Sequence, residues 1–187
     1  MYQDLSLFRL PTGFRGRSAF YVQLWWIVQA TAFRWSPQFA YGWRRFLLRV
    51  FGAQIGRNVV IRPSATTTYP WKLRIGDYSW IGDNVILYTL GFITIGEHTV
   101  VSQGSHICAA DHDSRDRTFA IRSRPIVIGS QVWIASDVFV APGVSIGDAA
   151  VVGARSTVFR NLPPHMICFG HPCVAVRPRT QLQSPHY

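Results

Sequence analysis

A branched apolar residue returns every six positions through the second half of this chain. Ile128, Ile134, Val140, Ile146, Val152 and Val158 are spaced at strict sixes, and Gly or Ala follows the first five of them. Helices and flat strands have side-chain periods of 3.6 and 2, so neither produces this pattern. A period of six fits a chain that turns a corner after each short strand and sends one branched side chain into a narrow central channel. The small residue behind it occupies the bend, where a larger side chain would clash. Three such sides make one triangular coil, and stacked coils pair their strands in parallel about 4.8 Å apart. The spacing therefore predicts an all-β solenoid, a parallel β-helix.

The repeat extends upstream in shorter runs. Ile55-Gly56 and Ile61 form one, Ile75-Gly76, Ile81-Gly82 and Leu87 a second, and Ile95-Gly96, Val101 and Ile107 a third. The runs are joined by intervals of 14 residues (Ile61 to Ile75), 8 (Leu87 to Ile95) and 21 (Ile107 to Ile128). Each excess over a multiple of six, namely two, two and three, is expected to leave the wall as a bulge or loop. The largest irregular stretch, 109–125, is highly charged, with Asp111, Asp113, Asp116, Arg115, Arg117, Arg122 and Arg124. Loops on a rigid scaffold are where chemistry concentrates. His112 lies there between Asp111 and Asp113, whose carboxylates are expected to orient the imidazole and raise its basicity. The competing reading is a solvated histidine in a charged loop. His98, His165 and His186 read as surface residues, and His106 stands at a repeat position that faces outward.

At 187 residues the chain suits one domain with a sizeable core. We divide it into an N-terminal arm and aromatic helical segment (1–54), the β-helix with its inserted loop 109–125 (55–163), and a closing segment with a polar tail (164–187). Its 19 basic and 9 acidic residues give a net charge of +10, and Lys72 is the only lysine. Arginine is the better fork for phosphate and carboxylate groups. Without a basic tract or a recognised binding motif, nucleic acid is not expected as a partner. A phosphorylated small molecule or an anionic membrane surface explains the charge better. The three cysteines, Cys108, Cys168 and Cys173, are an odd number with no C-x-x-C pair, which speaks against a disulfide framework and a zinc site. The first 18 residues lack the apolar run of a secretory signal, so a cytoplasmic protein is expected, with peripheral contact at the inner face of the membrane as an extension of that reading.

Residues 19–51 differ from the rest. Ala19 to Phe33 is apolar and aromatic, but it is shorter than the roughly 20 residues a spanning helix needs. Ser36-Pro37 reads as a helix start and Gly52 as a stop. Between them Phe39, Trp43, Phe46, Leu47 and Val50 form a stripe at helical spacing, beside Arg44, Arg45 and Arg49. One reading is a helical pair that caps the open end of the solenoid. The other is an interfacial anchor whose Trp and Arg residues touch anionic lipid.

Several segments together resemble the hexapeptide-repeat O-acetyltransferases, and within them the branch that acts in colanic-acid-type exopolysaccharide synthesis. They are Gln23-Leu24-Trp25-Trp26, residues 51–56 (FGAQIG), residues 69–73 (YPWKL), residues 87–91 (LYTLG), residues 108–113 (CAADHD), residues 133–144 (WIASDVFVAPGV) and Gly170-His171-Pro172. The resemblance covers nearly the full length and implies that the β-helix is left-handed, an exception to the usual right-handed crossover. It also implies transfer of an acetyl group from acetyl-CoA to a hydroxyl, with His112 as general base. A sugar hydroxyl is a poor nucleophile, so a base must take its proton as it attacks the thioester, and imidazole does this near neutral pH. The CoA thiolate leaves readily, so neither a covalent intermediate nor a metal is expected.

By the same resemblance Trp133, Ser136 and Ala154 line the CoA edge, Pro172 belongs to the Gly-x-Pro turn beside it, and Arg160 and Arg177 bind CoA phosphates. Arg179 is a further candidate for the phosphates. Cys173 stands where Ala is common. Asp83, Asn84 and Tyr88 are assigned to the acceptor side. The resemblance implies a homotrimer with each active site between two solenoids, and Trp80, Trp133 and Phe139 are candidates for an apolar outer face that self-association would bury. The acceptor expected is a sugar or lipid-linked oligosaccharide. Alternatives are a small-molecule or xenobiotic acetyltransferase, a γ-carbonic-anhydrase-like protein needing three converging histidines, and a non-catalytic scaffold.

Overall fold

In the computed structural model, which describes residues 2–180, the chain winds a three-sided parallel β-helix. The first coil is β1 (Gln54–Ile55), β2 (Val60–Ile61) and β3 (Thr66–Thr67), and the second is β4 (Leu73–Ile75), β5 (Trp80–Ile81) and β6 (Ile86–Tyr88). The third is β7 (Ile93–Ile95), β8 (Val100–Val101) and β9 (His106–Cys108), followed by a hairpin of β10 (Ala110–His112) and β11 (Ile121–Ser123). The fourth is β12 (Ile126–Ile128), β13 (Trp133–Ile134) and β14 (Phe139–Val140), and the fifth is β15 (Ser145–Ile146), β16 (Val151–Val152) and β17 (Thr157–Val158). Leu162 then bridges Ile146, and β18 (Met166–Gly170) extends the second side, with β19 (Cys173–Pro178) folded back antiparallel against it. The wall thus runs past the boundary expected at residue 163, because Leu162 follows Ile146 by 16 residues and drops out of the count of six.

The residues that set the period fill the channel. Ile55, Ile75, Ile95, Ile128 and Ile146 stack on the first side, and Ile61, Ile81, Val101, Ile134 and Val152 on the second; all are buried. On the third side Thr67 begins the column that Leu87, Ile107, Val140 and Val158 continue. The small residue at the bend is required by close approach of the next coil. A Cβ on Gly96 would lie 2.6 Å from the carbonyl carbon of Gly129, closer than any real contact.

Partners in register lie 20 residues apart over the first two steps, 33 over the third and 18 over the fourth. The two-residue excesses sit where the third side turns into the first, as bulges through 69–72 and 89–92. The excursion at 109–125 leaves the same corner. Its excess over the six-residue repeat is fifteen residues rather than the three expected, because the 21 positions from Ile107 to Ile128 contain a single six-residue side. All three irregularities therefore stack on one edge of the prism. There Tyr69, Leu90, Ala110 and Val22 form a small second core with Phe14, Trp71, Tyr88 and Ile121 around it.

Two helices, α1 (Ala19–Val28) and α2 (Tyr41–Val50), cover the open end of the first coil. Their polar side chains satisfy its exposed strand edge. The Trp25 indole donates to Thr67 O (2.8 Å), and Gln29 Oε1 accepts from Thr67 N (2.7 Å). Arg44 is wholly buried and donates to Ile61 O, Ser36 Oγ, Pro37 O and Gln38 O at 2.6–2.8 Å. Burial pushes its pKa down from the ordinary arginine value. Arg45 donates to Val59 O, and Arg49 to Ile55 O and Gly56 O. The capping role is thus built from the arginines that stand beside the apolar stripe. Of that stripe only Leu47 packs inward; Phe39, Trp43, Phe46 and Val50 face solvent. Among the described residues no helix is long and apolar enough to cross a membrane.

Candidate active site

The hairpin that carries His112 is fixed by its register and by charge. Ala110, Asp111 and His112 pair with Ser123, Arg122 and Ile121. Asp113 N donates to Ala120 O, and the Asp113 and Asp116 carboxylates cap the turn by accepting from Arg115 N and Thr118 N. Hydrogen bonding to Arg115 N holds the Asp113 carboxyl below the usual carboxylate range, and Arg122 and Arg115 add to this. Asp111 binds Arg122 at 3.1 Å and also Arg124. Each such half-exposed pair contributes up to about 1 kcal/mol, and together they tie both strands of the hairpin to one another.

These pairings change the part played by the aspartates. Neither Asp111 nor Asp113 bonds the His112 ring, because the arginines of β11 and its flanks engage both carboxylates. The ring is oriented instead by Phe119: Nδ1 lies 2.7 Å from the Phe119 carbonyl, and the two rings stack at 4.2 Å with 8° between planes. A carbonyl only accepts, so Nδ1 carries the proton and Nε2 presents a lone pair. That is the tautomer a general base requires. Phe119 holds this position with a left-handed backbone (φ 52°), uncommon for an aromatic residue.

The amino-terminal arm completes the setting. Asp4 N donates to Arg117 O at 2.8 Å, and Phe8 stands with its ring centroid 6.0 Å from that of His112. Further along, the Trp71 indole donates to Arg15 O and Lys72 Nζ to Phe14 O and Leu90 O. Burial lowers the Lys72 pKa. Neither Phe119 nor Phe8 was marked by sequence spacing. The only sign was the aromatic ring of Phe119 in a mostly polar loop; Phe8 has Leu5, Leu7, Leu10 and Phe14 around it in the arm and carries no such mark.

His106 is turned outward from the channel yet half-buried, edge-on to Tyr88 (6.1 Å) and Phe139 (5.6 Å). Its Nε2 is buried without a hydrogen-bond partner, and burial pushes its pKa down. Among the described residues no three His, Cys, Asp or Glu side chains converge as metal ligands would. His186 lies outside the described residues.

The remaining candidates divide between two edges of the prism. Ser136 and Ala154 stack at the corner where the second side turns into the third, joined by the bond from Arg155 N to Ser136 O (2.8 Å). The turn holding Pro172 lies next along it, with Gly170 N bonded to Ser156 Oγ and His171 beside Thr157. Asp83 and Asn84 occupy this same edge two coils earlier, linked by Gly104 N to Asp83 O and Asp137 N to Gln103 O. Burial alone would raise the Asp83 pKa, but bonds from Ser64 and Arg62 outweigh it and hold the carboxyl below its ordinary range. His112, Tyr88 and Arg160 lie on the other edge, where the third side turns into the first. The five residues of third side between these edges span about 16 Å. Trp133 stands half-exposed on the second face, bonded to Ser102 Oγ, and Arg177 lies on β19 at the end of that sheet. Trp80 shares the second face with Trp133, separated by Val100. Phe139 belongs to the third face, so it does not extend that apolar ladder.

Comparison with known proteins gives the class to which this solenoid with its histidine-bearing hairpin belongs. The family model described as "Bacterial transferase hexapeptide (six repeats)" matches residues 125–160. A protein of Escherichia coli (strain K12) that carries the name colanic acid biosynthesis acetyltransferase WcaF is 61% identical over 181 residues, covering 97% of this chain and 100% of its own. The structure of the hexapeptide-repeat-containing acetyltransferase VCA0836 of Vibrio cholerae O1 biovar eltor, complexed with acetyl-CoA, superposes with a TM-score of 0.79 at 28% identity, covering 89% of this chain and 92% of its own. A galactoside acetyltransferase in complex with coenzyme A superposes with a TM-score of 0.80 at 25% identity, covering 91% and 84%. The chain belongs to the hexapeptide-repeat acetyltransferases. It is an enzyme of the acetyltransferase class.

Proposed function

We propose that the protein transfers the acetyl group of acetyl-CoA to a sugar hydroxyl of an exopolysaccharide precursor, with His112 as the general base. The observation that carries this reading is the bond from His112 Nδ1 to the Phe119 carbonyl, which leaves Nε2 free to accept a proton. In the reaction Nε2 takes the hydroxyl proton as the sugar oxygen attacks the thioester carbonyl carbon. The oxyanion of the tetrahedral intermediate is held by backbone N–H groups at a coil turn. The C–S bond then breaks, the thiolate takes the proton back from the imidazolium, and the products are the acetyl ester and CoA. The acetyl-CoA and CoA complexes of the two structural relatives support the donor, and the name of the 61%-identical relative supports an exopolysaccharide acceptor.

The two-edge arrangement supports a homotrimer. His112 and the column of Ser136, Ala154 and Pro172 lie on different edges of one chain, so a neighbouring solenoid would bring a donor edge to each His112. The Trp80–Val100–Trp133 ladder is the apolar face that such packing would cover. Arg160 and Arg177 are proposed for the CoA phosphates, and Asp83, Asn84 and Tyr88 for the acceptor. A lipid-linked oligosaccharide would set the reaction at the cytoplasmic membrane surface. The test is thiol release from acetyl-CoA in the presence of a panel of 4-nitrophenyl glycosides. Acceptor-dependent release that depends on His112 supports the reading, and release with no acceptor dependence refutes it.

A further inference from the structure

The charge of this protein is polarised along its axis. Residues 5–76, from the arm through the two helices and the first coil to β4, contain eleven of the 19 basic residues and none of the nine acidic ones; two of the eleven, Arg57 and Arg62, pair with Asp77 and Asp83 of the second coil. Outside that stretch eight basic residues meet nine acidic ones, so the whole net charge of +10 resides at the capped end. Arg44, Arg45 and Arg49 are bonded to neutral carbonyls, which leaves their charge uncancelled.

The same end exposes its aromatic residues. Helix α2 buries Leu47 and Leu48 beside Arg44, yet it also presents Trp43, Phe46 and Val50, with Phe39 just before it, to the outside. Helix α1 buries Val22 and Trp25 and exposes Phe20, Leu24 and Ile27. The helices lie antiparallel, tied by Tyr21 Oη to Val50 O at one end and the Trp43 indole to Ala32 O at the other. Between them Trp35 is 83% exposed. Soluble monomers rarely leave a contiguous patch of this kind uncovered.

We propose that this pole docks on the surface of an anionic phospholipid bilayer. The aromatic side chains would enter the headgroup boundary while Arg15, Arg17 and Arg34, exposed at the two ends of the α1 segment, engage lipid phosphates. Trp and Phe mixed with Arg and without acidic residues is the composition of an interfacial surface. Self-association through this pole is disfavoured, since it would set two strongly cationic ends against each other. The inference rests on surface and charge alone and is independent of the role of His112.

The test is cosedimentation of the full chain with vesicles of phosphatidylcholine alone and of phosphatidylcholine with about one third phosphatidylglycerol, at low and high salt. The comparison protein is Phe20→Ser/Trp35→Ser/Phe39→Ser, three residues 78–83% exposed whose replacement leaves the core intact. The expected result is binding to the anionic vesicles, weakened by salt, that falls at least tenfold in the triple variant while acetyl-CoA affinity stays within twofold. Failure of the wild type to bind anionic vesicles, or equal binding by the variant, would overturn the proposal. A triple variant that loses a wild-type oligomer in light scattering would also overturn it and make the patch an interface between copies.

Discussion

Replacing Phe119 by Ala isolates the part of the site that sequence spacing left unmarked. The substitution removes the ring stacked on His112 at 4.2 Å but keeps the backbone carbonyl that binds Nδ1. An aromatic pair of this kind contributes about 0.5–1.5 kcal/mol beyond its buried area. If that energy holds the imidazole in its reactive orientation, kcat should fall about two- to twelvefold, since each 1.36 kcal/mol is worth a factor of ten. KM for acetyl-CoA should change little, because the ring packs on the imidazole and is none of the groups proposed to bind CoA. Phe119→Gly supplies the control. It removes the same ring but relieves a left-handed backbone (φ 52°) that costs a side-chain-bearing residue about 1–2 kcal/mol. The Gly variant should therefore match the Ala variant in kcat and exceed it in stability by about 1 kcal/mol. Initial rates of thiol release and urea denaturation read the two quantities separately. Wild-type kcat in Phe119→Ala would refute the argument that the stacked ring positions the base.

Other consequences are as concrete. A Cβ at Gly91 would lie 2.7 Å from Ala109 O and 3.1 Å from Arg124 O, at both roots of the His112 hairpin; Gly91→Ala should cost about 1–3 kcal/mol in urea denaturation and lower kcat. Arg44→Ala leaves three backbone carbonyls and the Ser36 hydroxyl without their donor and should destabilise by about 3–5 kcal/mol. Arg44→Lys, with one ammonium for four acceptors, should recover less than half of that loss in the same assay. The Asp77, Asp83 and Asp113 carboxyls are held below their ordinary range, so the unfolded chain takes up protons before the folded one does. The stability they contribute is therefore complete above about pH 5 and declines as pH falls below about 4 toward their folded-state pKa values; Asp83→Asn should flatten that decline in a pH series of urea midpoints.

The period of six made most of the wall legible. Every run from Ile55 to Val158 lies on a strand facing the channel, because a narrow channel admits only one branched side chain per side. What stayed hidden has physical causes. Thr67 holds an apolar position in the first coil, and its backbone is bonded by Trp25 and Gln29, contacts that no local period records. Of the stripe Phe39, Trp43, Phe46, Leu47 and Val50 only Leu47 turns inward, beside Leu48 and Arg44, whose guanidinium is buried because the open strand edge needs a donor there. His112 could be singled out from its place in the excursion. Its partner could not, since the sequence offers two flanking aspartates and the hairpin register sends both to arginines. The grouping of candidate residues on two separate edges follows from coil lengths of 20, 33 and 18, which become visible only in register.

The measurement that bears most directly on the account is acetyl transfer by His112→Ala, read as acceptor-dependent thiol release alongside a calorimetric titration with acetyl-CoA. A general base at this position predicts a fall in turnover of about 10²–10⁴-fold, with acetyl-CoA affinity within a few-fold of wild type. Equal turnover in the two proteins would contradict the account and remove His112 from the mechanism.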